Sequence, residues 1–262
     1  MTTGCWHAML PSMDHPEKLY KFRSLAGDSG RHVGRTLFEG EVYFGSARRF
    51  NDPFECLPAF ILEGTAAQKT QYFKSFVSNV KDVPQEQVDE LSAHLASQPD
   101  TLNMQALQDT FKSQMDAFPM LCLSAVADNV LMWSHYAAEH SGVCLEFDGK
   151  CPIFEEAAPV TYSSERVRIN LIDKDYTARA VVLTKSLDWH YEQEWRLLEV
   201  GTSPGVRVWP PSALTAVILG ARISEADRAR VMAWVARRSP KIAVRQASMS
   251  TKRFKVDIRD VT

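Results

Sequence analysis

The chain has 262 residues, 45% of them hydrophobic and 24% charged, with 30 Lys and Arg against 32 Asp and Glu and a net charge of −2. These are the proportions of a globular protein long enough to bury a full core without metal or disulfide staples. Near-neutral charge argues against a protein that coats extended duplex nucleic acid, because phosphate binding relies on clustered positive charge, although a local basic cleft stays open.

In chain order, Lys18–Leu25 (KLYKFRSL) alternates apolar and polar residues as a half-buried strand does, and AGDSG breaks it. A short helix over Arg31–Phe38 ends at Gly40, and Glu41–Gly45 (EVYFG) reads as a second strand, followed by the polar loop SARRFNDPFE. From Thr65 to Phe118 apolar residues recur at three- and four-residue spacing, punctuated by Pro84 and Pro99, which predicts an insertion of two or three helices within a single domain spanning 1–262. Met120–Ala125 returns to strand chemistry. Asp128 is placed to cap a helix running through LMWSHYAAEHS to Gly142, and Val143–Phe147 is the next strand, closed by Asp148–Gly149. Beyond it the pattern predicts a strand at Val160–Tyr162, a helix over Asp173–Thr184, strands at Trp195–Val200, Val206–Trp209 and Ala216–Leu219, a helix from Ser224 to Arg237, and two final strands in IAVRQA and FKVDI. Strands and helices mix without a regular βαβ period, so the fold class expected is α+β with a mostly antiparallel sheet.

Five cysteines (Cys5, Cys56, Cys122, Cys144, Cys151) without a C-x-x-C pair are the usage of a reducing compartment. The first fifteen residues lack a basic start followed by an apolar stretch, and no run approaches the ~18 apolar residues of a membrane helix. The expectation is a cytoplasmic protein with no membrane partner.

Four segments carry candidate chemistry. In WHYEQEWR, an extended backbone puts Glu192 and Glu194 on one face roughly 6–7 Å apart, among Trp189, Tyr191 and Trp195. Two like charges so placed raise a pKa or bind something cationic, and the aromatic surface suits a flat ring. The bland alternative is an exposed face with Glu194 paired to Arg196 or to a distant base. In LMWSHYAAEH a helix pairs His135 with Glu139 at i, i+4, whereas His135 and His140 diverge by roughly 140°, a poor arrangement for two metal ligands. No metal is expected, and His140 reads as a structural histidine. In Arg49–Glu55 (RFNDPFE), Asn51, Asp52 and Pro53 satisfy an Asx turn, yet a rigid loop carrying Arg49, Asp52 and Glu55 is also where recognition residues sit. On the first strand, Tyr20 shares a face with Phe22 and Ser24, and Arg23 shares the other with Lys21; a guanidinium there is either a surface charge or an anchor for phosphate. P-loop, G-x-G-x-x-G, G-x-S-x-G and H-E-x-x-H motifs are all missing from the sequence.

Taken together, LYKFRSL, EVYFGSARRFNDPFE, CLSAVADNVLMWSHYAAEHSGVCLEFD and KSLDWHYEQEWR resemble, in this order, a bacterial family catalogued as domain-of-unknown-function family 2971. The arginine on an early strand, serine on a middle strand and Glu-x-Glu on a late strand are also similar to the pattern of the mono-ADP-ribosyltransferases. That similarity implies a split-sheet α+β fold with NAD as substrate and an acceptor macromolecule of unknown class. It implies that Arg23 holds the phosphates and that Ser124 supports the nicotinamide-side ribose. Glu194 then stabilises the oxocarbenium-like transition state, Glu192 orients or deprotonates the acceptor, and Tyr136 or Trp189 stacks on the nicotinamide. Tyr20, Asn51 and Asp52 join the expected nucleotide-binding set. This chain departs from the pattern in carrying Cys-Leu-Ser at 122–124 where Ser-Thr-Ser is usual, with Lys185–Ser186 as a rival, and in its histidine-bearing helix. His135 is therefore also a candidate catalytic group, either there or in a hydrolase acting on a nucleotide or nucleic acid. A ligand sensor or defence-associated module would use the same cleft without turnover.

Overall fold

The computed structural model describes residues 14–79, 83–98, 101–173 and 178–261, apart from the side chains at 49 and 101–104. Cys5, the Arg49 side chain, most of the first fifteen residues and part of the helix predicted over Asp173–Thr184 lie outside the described residues; the described part of that helix is Ala178–Val182, and Thr184 instead opens a strand.

The chain is a mixed α+β structure around one eight-stranded sheet. Its elements are β1 (Lys18–Arg23), α1 (Gly27–Glu39), β2 (Glu41–Phe44), β3 (Ala59–Ile61), α2 (Ala66–Val77), α3 (Gln85–Ser97), α4 (Thr101–Asp116), β4 (Met120–Ser124), α5 (Val130–Tyr136) and β5 (Val143–Asp148). There follow β6 (Ala158–Pro159), β7 (Thr161–Ser163), β8 (Arg168–Asn170), α6 (Ala178–Val182), β9 (Thr184–Ser186), β10 (Glu194–Leu198), β11 (Gly205–Val208), β12 (Leu214–Leu219), α7 (Glu225–Ala236), β13 (Ala243–Met249) and β14 (Val256–Asp260). The sheet order is β14-β13-β12-β5-β1-β4-β10-β6. Every neighbouring pair is antiparallel except β12–β13, which α7 connects. β2–β11, β3–β8 and β7–β9 form three small ribbons beside it.

One junction in the sheet differs from the rest. β1 pairs with β5 along its whole length, from Lys18–Asp148 to Arg23–Val143. With β4 it shares a single register pair, Tyr20–Ser124. Past that pair the two strands part, and the Lys21 ammonium crosses the gap to donate to the Cys122 carbonyl at 2.6 Å. Because directly opposed residues share a face, Tyr20, Ser124, Glu194 and Glu146 lie on one side of the sheet, while Lys21 and Arg23 point to the other.

Each face has its own core. On the Lys21 side, Val33 and Leu37 of α1 and Val231 and Val235 of α7 pack on Leu19, Leu121, Leu145 and Val217. On the opposite side, Met132 and Trp133 of α5 cover Phe22, Cys144 and Ile218, and Phe111 and Met115 of α4 join Met120, Ile169 and Val182. The helical run from Thr65 is three helices, the first opened by a capping box in which Thr65 and Gln68 bond each other's backbone.

Three local expectations are corrected. α5 is capped by Asn129, whose Oδ1 accepts from the Leu131 and Met132 amides, and it ends at Tyr136. Ala138, Glu139 and His140 then take positive φ values of 47°, 54° and 70°, so no i, i+4 His135–Glu139 pair exists. The reversal lets Gly142 enter β5 against Arg23, where a Cβ would stand 2.2 Å from the Arg23 carbonyl oxygen. Glu192 is not on a strand: it closes a 3₁₀ segment over Leu187–Glu192, and Gln193 at φ 42° reverses the chain into β10. The strand predicted at Val160–Tyr162 is broken into β6 and β7, which pair with β10 and β9 respectively.

Candidate functional site

The parting of β1 and β4 opens a cleft of about 450 Å³. Lys21 and Arg23 stand on its β1 wall, Asn51 and Glu55 come from the loop after β2, and Ser124, His135, Tyr136, Glu192, Glu194 and Lys185 come from β4 onward. Of the residues singled out in the sequence, Tyr20, Arg23, Asn51, Ser124, His135, Tyr136, Glu192 and Glu194 therefore line one cavity. Asp52 and Trp189 are not among its lining residues.

The floor is a buried ionic cluster. The Arg196 guanidinium, fully buried, grips Glu194 through two donors, Nε to Oε1 at 2.8 Å and Nη2 to Oε2 at 3.0 Å. It also reaches Glu55 and the Val182 carbonyl and lies over the Phe50 ring. Lys185 Nζ bonds Glu192 Oε2 at 2.5 Å and Glu194 Oε2 at 3.2 Å, with Glu55 Oε1 at 3.7 Å. Tyr136 donates its hydroxyl to Glu192 Oε1 at 2.6 Å. Three carboxylates thus share two cations in a place where unpaired charge is costly.

The carboxyl groups divide by environment. Burial raises Glu194, but Arg196 and Lys185 outweigh it and hold the group well below the usual carboxylate range. Burial dominates at Glu192 and Glu55 and pushes both upward, against the pull of Lys185 on the first and of Arg196 and Lys185 on the second. Burial, then the neighbouring Arg23, lowers Lys21 to about 8. Burial also raises the Cys56 thiol to about 12 and lifts those of Cys122 and Cys144, which keeps these sulfurs protonated.

Backbone contacts fix the acids in place. Ser124 Oγ donates to the Glu192 carbonyl at 2.6 Å and accepts from the Val126 amide at 3.1 Å, so it holds the Glu192 turn against β4. The Glu194 amide donates to the Tyr162 hydroxyl at 2.8 Å. His135 is exposed at the rim, its ring 6.2 Å from those of Tyr136 and Trp189 and 6.3 Å from Tyr191. Trp189 lies under Lys185, whose Nζ is 4.9 Å from the ring centroid. Asp52 closes its Asx turn by accepting from the Phe54 amide at 2.8 Å and faces a neighbouring pocket. His140 is buried on the α5 side, with Nε2 3.2 Å from Ser134 Oγ.

The sequence named Lys185 only beside Ser186 as a rival to the Cys-Leu-Ser segment, Lys21 only as sharing a strand face with Arg23, and Arg196 only as a pairing partner. The available signal was a Lys-x₆-Glu-x-Glu-x-Arg spacing inside an aromatic run, since a lysine and arginine buried among apolar neighbours need carboxylates. Among the described residues, no group of three or more His, Cys, Asp or Glu side chains is arranged to hold a metal ion, and no helix is long and apolar enough to cross a membrane.

Residues 132–197 match the model of a family described as a protein of unknown function, DUF2971. The matched segment runs from Met132 in α5 to Leu197 in β10, and so contains His135, Tyr136, Lys185, Glu192, Glu194 and Arg196. No curated protein and no solved structure matches the chain.

Proposed function

With the DUF2971 match as its premise, we propose that the protein is an ADP-ribosyltransferase-like enzyme that cleaves the nicotinamide–ribose bond of NAD and passes the ADP-ribose to an acceptor. One observation carries the reading. Where the sheet parts at β1–β4, Lys21 and Arg23 of β1 and the acids Glu192 and Glu194 line one cleft from opposite sides of the sheet. A dinucleotide needs that polarity: cations for its diphosphate, and a carboxylate for the positive charge that develops on the ribose as nicotinamide leaves with the bonding pair. The break in the sheet is also what the split-sheet arrangement of these transferases would require.

The geometry favours a division of labour different from the one implied by the motif alone. The Arg196 fork and Lys185 saturate Glu194, making it the anchor of the floor. Glu192 accepts one hydrogen bond on each oxygen, from Tyr136 and from Lys185, and each oxygen keeps a further lone pair for a ribose hydroxyl. Glu192 is then the carboxylate that meets the oxocarbenium-like ribose, Lys185 opposes the upward push of burial on it, and Ser124 acts as a positioning residue through the Glu192 carbonyl. Tyr136 and the exposed His135 ring border the place for nicotinamide.

The test is nicotinamide release from NAD by the purified chain, with labelled NAD and cell lysate to trap the acceptor, alongside Glu192→Gln and Glu194→Gln. We expect release by the parent, a loss of at least about 100-fold in E192Q with its melting temperature kept, and a combined loss of activity and stability in E194Q. An E192Q protein as active as the parent refutes the assignment. NAD binding without release would instead identify a sensor that uses the same cleft.

A further inference from the structure

The last twenty-two residues, Lys241–Thr262, hold six Lys or Arg against two Asp, a surplus of four positive charges in a chain whose net charge is −2. Within them, β13 (Ala243–Met249) and β14 (Val256–Asp260) form a hairpin at the edge of the sheet. Its connecting loop, Ser250–Lys255 (STKRFK), contains three cations and no acid. The loop is closed by the Ser250 amide bonding the Lys255 carbonyl at 3.1 Å and the Lys255 amide bonding the Arg253 carbonyl at 2.9 Å. Val256 beside it is buried in the core, and its amide bonds the Asp128 carbonyl at 3.0 Å. The loop is thus fastened at its base, yet Phe254 on it is fully exposed.

An aromatic ring standing wholly in water on a fastened loop buries nothing for the fold. Its setting points to a ligand. Beside it runs an open groove of about 650 Å³ whose lining includes Arg253, Lys255 and Arg259. Lys255 is neutralised by Asp128, and Asp257 also lines the groove, but Lys252, Arg253 and Arg259 make no ion pair among the described residues. At its inner end the groove reaches Tyr20 and Ala125, and Tyr20 also lines the cleft between β1 and β4.

We infer that this hairpin and groove bind single-stranded nucleic acid, with Phe254 stacking on an unpaired base and Lys252, Arg253 and Arg259 holding successive phosphates. A stacking ring and a short row of unpaired cations are the two parts such sites combine. A duplex offers no free base face to the ring, and an open groove beside Phe254 suits a strand rather than a flat membrane surface. The inference stands apart from the NAD reading, because binding a strand needs no nicotinamide cleavage. Should both hold, the groove brings a nucleic-acid acceptor to the mouth of the cleft.

The experiment is fluorescence anisotropy with labelled dT12, U12 and a 12-base-pair duplex, on the whole chain and on Phe254→Ala, Arg253→Glu and Lys112→Glu. Three phosphate contacts to a single strand predict a salt slope of about −2, or roughly an 18-fold loss of affinity between 50 and 200 mM KCl. F254A is expected to weaken dT12 binding at least about fivefold, the low end of a base–aromatic stack, and R253E to weaken it by a similar factor. K112E, an equal charge change on exposed α4, is expected to leave binding unchanged. These loop side chains are exposed, so the variants should keep the parent melting curve. The inference is overturned if dT12 does not bind at 50 mM KCl, if F254A and R253E bind like the parent, or if the duplex binds as tightly as dT12. It is equally overturned if vesicles of 30% phosphatidylserine, and not the oligonucleotides, are what the parent binds and F254A loses.

Discussion

Replacing Arg196 by Met separates the ionic floor from the rest of the fold. Arg196 is fully buried and answers Glu194 with two hydrogen bonds, Glu55 with another ion pair, and the Val182 carbonyl. Methionine fills much of the volume but leaves three carboxylates with Lys185 alone. Removing one partner of a buried pair costs about 3–5 kcal/mol, because the remaining charge stays desolvated. At about 2–4 °C per kcal/mol for a chain near this size, the melting temperature falls by about 6–20 °C. The loss must also depend on pH. In the parent, Glu194 sits below its ordinary value of 4.5, so its contribution is present above that value and disappears as pH falls through the folded pKa. Without Arg196 burial dominates, the folded pKa rises above 4.5, and the sign reverses: the buried charge costs more as pH increases. Thermal melts followed by circular dichroism at pH 5 and pH 7.5 should therefore show a larger deficit at 7.5. Adding Glu194→Gln to R196M should recover part of it, by the coupling expected of contacting residues. An R196M protein melting within about 2 °C of the parent at pH 7.5, or with equal deficits at both pH values, would falsify the argument.

Further outcomes follow at Lys21 and at Gly142. Lys21, pushed down to about 8, is charged at pH 7 and neutral by pH 9.5, so affinity for ADP-ribose or pyrophosphate, measured by calorimetry, should fall across that interval in the parent and stay flat in Lys21→Met. The same depressed pKa makes the cost of the buried ammonium complete below about 8 and relieved as pH climbs toward 10.5, a stability gain that K21M lacks. Gly142→Ala puts a methyl group 2.2 Å from the Arg23 carbonyl oxygen and 2.9 Å from that of Ala137, both backbone atoms. We expect a loss of about 2–3 kcal/mol in denaturant melts and weaker anion binding as β1 shifts; an unperturbed G142A would show that the turn tolerates side chains.

The strands were legible where alternation was strong. VCLEF keeps one apolar face, Val143, Leu145 and Phe147, because it lies in the middle of the large sheet with a core on that side. The end of α5 was not legible: Ala137, Ala138 and Glu139 are good helix formers, and only the tertiary need to bring Gly142 beside Arg23 turns three residues left-handed. The two acids were picked out for the wrong local reason. A same-face strand pair was expected, whereas a 3₁₀ turn and a left-handed Gln193 aim both at Lys185. The convergence depends on β9, paired in parallel with β7, a three-residue ribbon too short to leave a periodic trace.

Near-zero net charge hides how the charges of this chain are distributed. Five charged side chains neutralise one another to within one unit in the floor of the cleft, out of reach of solvent, and so contribute little to any field felt outside. An approaching anion meets cations at Lys21 and Arg23, which line the cleft at the parted edge of β1, and on the hairpin around Phe254. At a Debye length of about 8 Å in physiological salt, charges on the far helices do not screen these two sites from a ligand already close to them. Balanced composition therefore argues against a surface that attracts long polyanions from a distance, and it places no such limit on a dinucleotide or a few unpaired bases recognised at contact.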